Sequence, residues 1–347
     1  MRSELAERVE AECEPLNEKH FKKFARNGVF FLENDGMKMK YFFRSGKGGR
    51  DGSPLYLCFH QGGGSKDMND SCWSGMQGYY SVKGSLIVPR VPTDAVGGWN
   101  KPHIPGLVQR ALYESFVLRD IDTNRVYILG YSLGGYGTAW MGPLMADRWA
   151  AFGSSAAGIE PSGAPLVNLR NTPVIIQAGT EDNTPPRYET AKRYVARLNE
   201  LHEADEEGYI YKFREHQGAG HIFSDSDSPK WVGKHVREPY PEKVVWKPVS
   251  SGSWSPGSFY WLAGDGLTGK VVVTRDGNTI EIEEGSPSGL TLLLNEEFID
   301  FDEPVVVKRG DEELFNGKVT RSLAVMIETY VARADKALTF TAKITLD

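Results

Sequence analysis

The apolar run Val126-Tyr127-Ile128-Leu129 leads straight into Gly130-Tyr131-Ser132-Leu133-Gly134, and the residues that follow, Thr138-Ala139-Trp140-Met141, turn helix-like. A serine with a glycine two residues to either side, set between a strand and a helix, sits on a turn tight enough to lift its hydroxyl clear of a sheet. Five-residue patterns of this kind occur by chance. The strand before and the helix after give this one its weight, and they make Ser132 the candidate nucleophile.

The surrounding pattern fits a sheet whose strands feed helices. Gly28–Glu33 and Met37–Arg44 are expected strands joined at Asn34-Asp35-Gly36, a good hairpin turn. Short apolar strands follow at Leu55–Phe59, Gly84–Val88, Arg125–Leu129, Val174–Gln177 and Tyr209–Phe213. Helical spacing falls between them, at Leu107–Leu118, Gly134–Met145 and Pro186–His202. Strands alternating with helices imply an α/β fold with a mostly parallel, doubly wound sheet. Beyond the Ser, Gly, Trp and Pro of Ser250–Ser258, β-branched runs and turn signals point to a small sandwich-like β-rich unit with one helix near Arg321–Arg333. The expected organisation is an N-terminal helix over 1–27, a catalytic domain over 28–249 and an accessory β domain over 250–347.

A serine hydroxyl is a poor nucleophile at neutral pH and needs a base, which in turn needs an orienting acid. On a strand–turn–helix nucleophile the acid follows in the chain, then the histidine. After the strand at Val174–Gln177, the loop Gly179-Thr180-Glu181-Asp182 presents two carboxylates; Asp182, at the loop tip, is preferred and Glu181 is its rival. After the next strand, Glu215-His216-Gln217-Gly218-Ala219-Gly220-His221 offers two histidines. His221, behind a flexible Gly-Ala-Gly, is the expected base, and His216 is expected to be structural. A developing oxyanion needs two backbone N–H donors. One is expected from Leu133 and the other from His60-Gln61-Gly62-Gly63-Gly64, where Gln61 and Gly62 both remain open.

Two aromatic segments, Asp70–Tyr80 with Trp73 and Gly97–Pro105 with Trp99, are expected in loops at the ligand edge of the sheet. Their rings either hold an aryl or sugar group or anchor their own loops. Trp73, Trp99 and Tyr131 are the candidate substrate contacts.

Residues 53–225 resemble the esterase and prolyl-oligopeptidase-like group of α/β-hydrolases. The resemblance rests on Gly130-Tyr131-Ser132-Leu133-Gly134-Gly135-Tyr136-Gly137, on the acid loop Gly179–Asp182 and on the base loop Gly218–His221. Asp122-Thr123-Asn124-Arg125-Val126-Tyr127 is similar to the segment that often precedes the nucleophile in feruloyl-esterase, polyhydroxyalkanoate-depolymerase-like and peptidase members. The resemblance implies a serine hydrolase acting on carboxylic esters through an acyl-enzyme, without a cofactor. It does not extend to the C-terminal β unit. Only Ala146–Thr172 separates the nucleophile helix from the acid's strand, which leaves little room for a cap and points to an open site. The expected substrate is therefore a small-molecule or polymer-borne ester. A serine peptidase and a non-catalytic binding protein on the same scaffold are the rival readings.

Composition removes other classes. The chain has 347 residues and a formal net charge of −6, and its basic residues form no stripe, so nucleic acid is not an expected partner. No stretch is long and apolar enough for a membrane span, and residues 1–14 lack the apolar core of a secretory leader. The three cysteines, Cys13, Cys58 and Cys72, have no paired spacing. A reducing, cytoplasmic setting is expected, with no metal site, and a homo-oligomer is left open.

Overall fold

The computed structural model describes residues 27–347 apart from positions 159 and 265. The helix expected over 1–27 therefore lies outside the described residues, Asn27 excepted.

Eight strands form one sheet: β1 (Gly28–Asn34), β2 (Met37–Arg44), β3 (Ser53–Phe59), β4 (Ser85–Pro89), β5 (Ile121–Tyr131), β6 (Ala151–Ser155), β7 (Val174–Gly179) and β8 (Tyr211–His216). Their spatial order is β1-β2-β4-β3-β5-β6-β7-β8, antiparallel through the first three and parallel from β4 onward. The fold is that of the α/β-hydrolases. Its helices are α1 (Lys66–Tyr79), α2 (Ile104–Leu118), α3 (Leu133–Leu144), α4 (Arg187–Ala204) and α5 (Asp227–Val232). Strand β3 shows why helices cover both faces. Leu55, Leu57 and Phe59 enter one buried cluster, while the alternate Tyr56 and Cys58 enter another with Trp73, Met76 and Val232. Side chains alternate with a period of two along a strand, so a run that is apolar at every position must be covered twice.

Two elements depart from expectation. Residues 66–79 form a helix instead of a loop, begun by Ser65, whose side chain accepts from the Met68 N–H at 3.3 Å. Strand β6, Ala-Phe-Gly-Ser-Ser, carries no β-branched run to announce it; it is buried throughout, between β5 and β7.

The C-terminal unit is built from two sheets. One has five strands: β9 (Lys243–Trp246), β12 (Val271–Asp276), β13 (Thr279–Glu284), β15 (Val305–Arg309) and β16 (Glu312–Gly317). The other has four: β10 (Ser258–Phe259), β11 (Leu262–Ala263), β14 (Thr291–Leu294) and β17 (Ala342–Thr345). Helix α6 (Leu323–Arg333) lies between β16 and β17 in the chain. The sheets meet where Trp246 stacks on Phe259, centroids 5.9 Å apart. Because β9 pairs with β12, the β unit draws in residues ahead of position 250.

The two units are joined by buried polar contacts. Arg237 grips Asp335 with two hydrogen bonds of 2.8 and 3.1 Å, and the two side chains are 1% and 0% exposed. Burial alone would raise the Asp335 pKa; the charge and hydrogen bonds of Arg237 reverse this and hold it low. A carboxyl held low in the folded state contributes stability above its unfolded pKa of about 4, and that contribution is lost as pH falls through the folded value. Replacing Asp335 with Ala leaves a buried, unpaired guanidinium. The expected loss is about 3–5 kcal/mol, read by urea unfolding at pH 7.

Candidate active site

Ser132 stands between the end of β5 and the start of α3 with φ 53° and ψ −117°. A non-glycine residue at positive φ is strained and persists only where its surroundings over-determine it. Those surroundings are backbone. A side chain on Gly130 would meet the Gly134 carbonyl at 2.2 Å, and one on Gly134 would meet the Phe59 carbonyl oxygen at 2.1 Å. The Ser132 N–H donates to the Ser155 carbonyl at 2.9 Å, so the unanticipated strand β6 is what holds the turn from the far side.

The acid and base loops meet over this turn. Ser132 Oγ lies 2.8 Å from His221 Nε2, and His221 Nδ1 lies 2.7 Å from Asp182 Oδ2. An acceptor-only carboxylate at Nδ1 places the proton there and leaves Nε2 free to accept from the serine hydroxyl. Asp182 is buried at 3% exposure, whereas Glu181 is exposed, so Asp182 is the carboxylate on the histidine. Its other oxygen accepts from Arg187 Nη1 at 2.9 Å, a partner that the sequence did not announce. His216 binds Gln177 Oε1 through Nε2 at 2.8 Å and stacks on Phe223, a supporting position.

The glycine-rich loop after β3 lies against the turn: an added Cβ on Gly63 would stand 3.3 Å from Leu133 Cδ2. Gly62, Gly63 and Gly64 all have positive φ, between 81° and 134°. His60 anchors this loop from beneath. Its Nε2 accepts from the Val91 N–H at 3.1 Å, so its Nδ1–H donates to the Gln61 carbonyl at 2.6 Å. Burial pulls the His60 pKa down to about 4, which keeps the ring neutral and this bonding pattern fixed. Among the described residues, no group accepts from the backbone N–H of Gln61, Gly62 or Leu133.

The three aromatic candidates for substrate contact are all buried, each with its polar tip hydrogen-bonded to backbone. Trp73 is on α1, in the second core, donating from Nε1 to the Val88 carbonyl at 2.8 Å. Trp99 is fully buried, stacked on Phe59 at 4.2 Å, with Nε1 donating to the His60 carbonyl. It fills the space between the glycine-rich loop and α3, where a side chain at position 137 in place of glycine would collide with it. Tyr131 is 7% exposed. Its hydroxyl donates to the His221 carbonyl at 2.8 Å and accepts from the Phe223 N–H at 3.0 Å. One side chain next to the nucleophile therefore fixes the backbone on both sides of Ile222, just past the base. Burial raises the Tyr131 pKa to about 12, so the hydroxyl stays a donor at any ordinary pH. A second tie comes from buried Asp225, which accepts from Tyr79 and Tyr80 at 2.9 and 2.6 Å and fastens the end of α1 to the loop bearing His221.

No family model and no curated protein matches the chain. Many solved structures do. The chain is similar to a thermostable esterase at 19% identity, over 61% of this chain and 63% of that one, with a TM-score of 0.48. It is similar to a ferulic acid esterase at 16% identity, over 57% and 91% of the two chains, TM-score 0.40. It is also similar to an S-formylglutathione hydrolase from Staphylococcus aureus at 13% identity, over 60% and 94%, TM-score 0.42. By their names these structures are esterases and a hydrolase. Strand order and the turn at Ser132 identify the fold here.

Three substitutions test the geometry. Tyr131→Phe removes the tether without opening a large cavity; kcat should fall about tenfold with KM within about twofold and the unfolding temperature little changed. In parallel, Asp182→Asn should lower kcat by about four orders of magnitude, because the amide reverses the histidine tautomer, while Glu181→Gln stays within about twofold. Steady-state kinetics on a chromogenic ester reads all three.

Proposed function

We propose that the chain is a serine hydrolase that cleaves carboxylic esters through an acyl-enzyme. The observation that carries this reading is the hydrogen-bonded chain from Ser132 Oγ through His221 to buried Asp182, at 2.8 and 2.7 Å. As the Ser132 oxygen attacks the ester carbonyl, its proton passes to His221 Nε2. Asp182 holds the ring in the required tautomer and stabilises the imidazolium. The oxygen of the tetrahedral intermediate takes hydrogen bonds from the Leu133 N–H and from the glycine-rich loop. Collapse expels the alcohol, which leaves with the proton from His221. A water molecule, activated by the same histidine, then releases the acid and restores Ser132.

The Gln61 peptide bears on which loop donor is used. Its carbonyl is bound to His60, and in a trans peptide the N–H of Gly62 points the opposite way, so Gly62 is the favoured donor. The site is open. The His221 side chain is 36% exposed, and the chain between α3 and β7 is spent on β6 and short 3-10 turns, with no cap among the described residues. This favours bulky or polymer-borne esters over small, fully enclosed ones.

A fluorophosphonate probe should label the wild-type chain on Ser132 and leave Ser132→Ala unlabelled. On p-nitrophenyl acyl esters and aminoacyl nitroanilides, the esters should be turned over with much the higher kcat/KM. A folded wild type that neither labels nor turns over esters would end the hydrolase reading. Comparable anilide cleavage would convert it to a peptidase.

A further inference from the structure

At the far end of α3 from Ser132, the α/β unit and the β unit enclose a cavity of about 260 Å3 lined by Asp147, Arg148, Trp254, Leu293, Arg333 and Phe340, among others. Helix α3 has 12 residues, so the two ends stand about 18 Å apart and the cavity is separate from the triad. Its charges do not balance. Arg148, Arg237 and Arg333 are all buried, against two buried carboxylates, Asp147 and Asp335. Asp335 is taken up by Arg237, and Asp147 accepts from Arg333 Nη2 at 2.5 Å. Arg148 comes no closer than 3.9 Å to Asp147. Glu328, at the cavity wall, is exposed and already pairs with Lys343 at 2.9 Å.

Arg333 is the second observation. It is only 4% exposed, yet its Nε and Nη1 are buried with no acceptor among the described residues. A buried donor left unpaired loses its hydration without replacement, a larger loss on a charged group. The negative end of the α3 dipole offsets roughly half a charge, but it gives those two nitrogens no acceptor. Burial, with Arg333 alongside, pulls the Arg148 guanidinium down to about 9, in the direction that excess positive charge dictates.

We propose that this cavity binds a small organic carboxylate, its head between Arg333 and Arg148 and its apolar body against Trp254, Leu293 and Phe340. A planar carboxylate is the acceptor a guanidinium fork is shaped for, and apolar walls select against a bare inorganic ion. Such a ligand would touch both units at once and so tighten their junction. The site stands independently of ester hydrolysis.

The test titrates the full chain with benzoate at constant ionic strength, with chloride as the balancing anion, by calorimetry and thermal unfolding. Wild type should bind saturably and unfold at a higher temperature with benzoate. Arg148→Met should bind at least tenfold more weakly while ester turnover and its benzoate-free unfolding temperature are maintained, since Arg148 anchors neither Asp147 nor Asp335 at hydrogen-bond distance. Inorganic phosphate should bind more weakly than benzoate. Absence of saturable binding, undiminished binding by Arg148→Met, or phosphate binding as tightly as benzoate would overturn the proposal.

Discussion

The strained backbone at Ser132 is the constraint on which the other parts of the site depend. Holding a serine at φ 53° costs about 1–3 kcal/mol, which the rest of the fold must repay. The Ser155 carbonyl at the end of β6 accepts from the Ser132 N–H, and the glycines at 130 and 134 leave room for the backbone, the Phe59 carbonyl included, to close around the turn. The turn that exposes the hydroxyl thus exists only inside the finished sheet. Because β3 also delivers the glycine-rich loop, the same contact brings that loop beside Ser132 and Leu133.

Large aromatic residues around the site serve the backbone. Each combines a ring that fills a gap with a polar tip that reaches one particular carbonyl. Trp99 reaches the His60 carbonyl, Trp73 the Val88 carbonyl and Tyr131 the His221 carbonyl. Trp99 and Tyr131 thereby hold the glycine-rich loop and the loop bearing His221, while Trp73 is tied to strand β4. Trp73, Trp99 and Tyr131 are committed to the interior, while Tyr79 and His221 stay partly exposed.

The junction between the units follows a different rule. Here buried charge, matched in part by Arg237–Asp335 and Arg333–Asp147, fixes the β unit against the end of the nucleophile helix. Apolar packing would hold the units with less geometric demand. With ion pairs, a small displacement would strand a charge in the interior.

The amino-acid sequence alone determined the features that depend on neighbours along the chain. The hairpin at Asp35-Gly36, the alternation of strands and helices, the serine turn and the order Ser132, Asp182, His221 are all written in local pattern. Strand β6 escaped because it is made of Ala, Gly and Ser with one Phe: Gly153 has Leu129 and Ile175 pressed against it, so bulk there is excluded by its neighbours. Helix α1 escaped because two glycines and a polar stretch mask its pattern, although Ser65 offered a cap. Only the tertiary structure placed Asp182 rather than Glu181 on His221, added Arg187 behind it, and buried Trp73, Trp99 and Tyr131 in the frame. The physical reason is common to all of these. Burial and hydrogen-bond partners are properties of surfaces brought together from distant parts of the chain, and a single chain pattern carries residue type and spacing but not the company each side chain keeps.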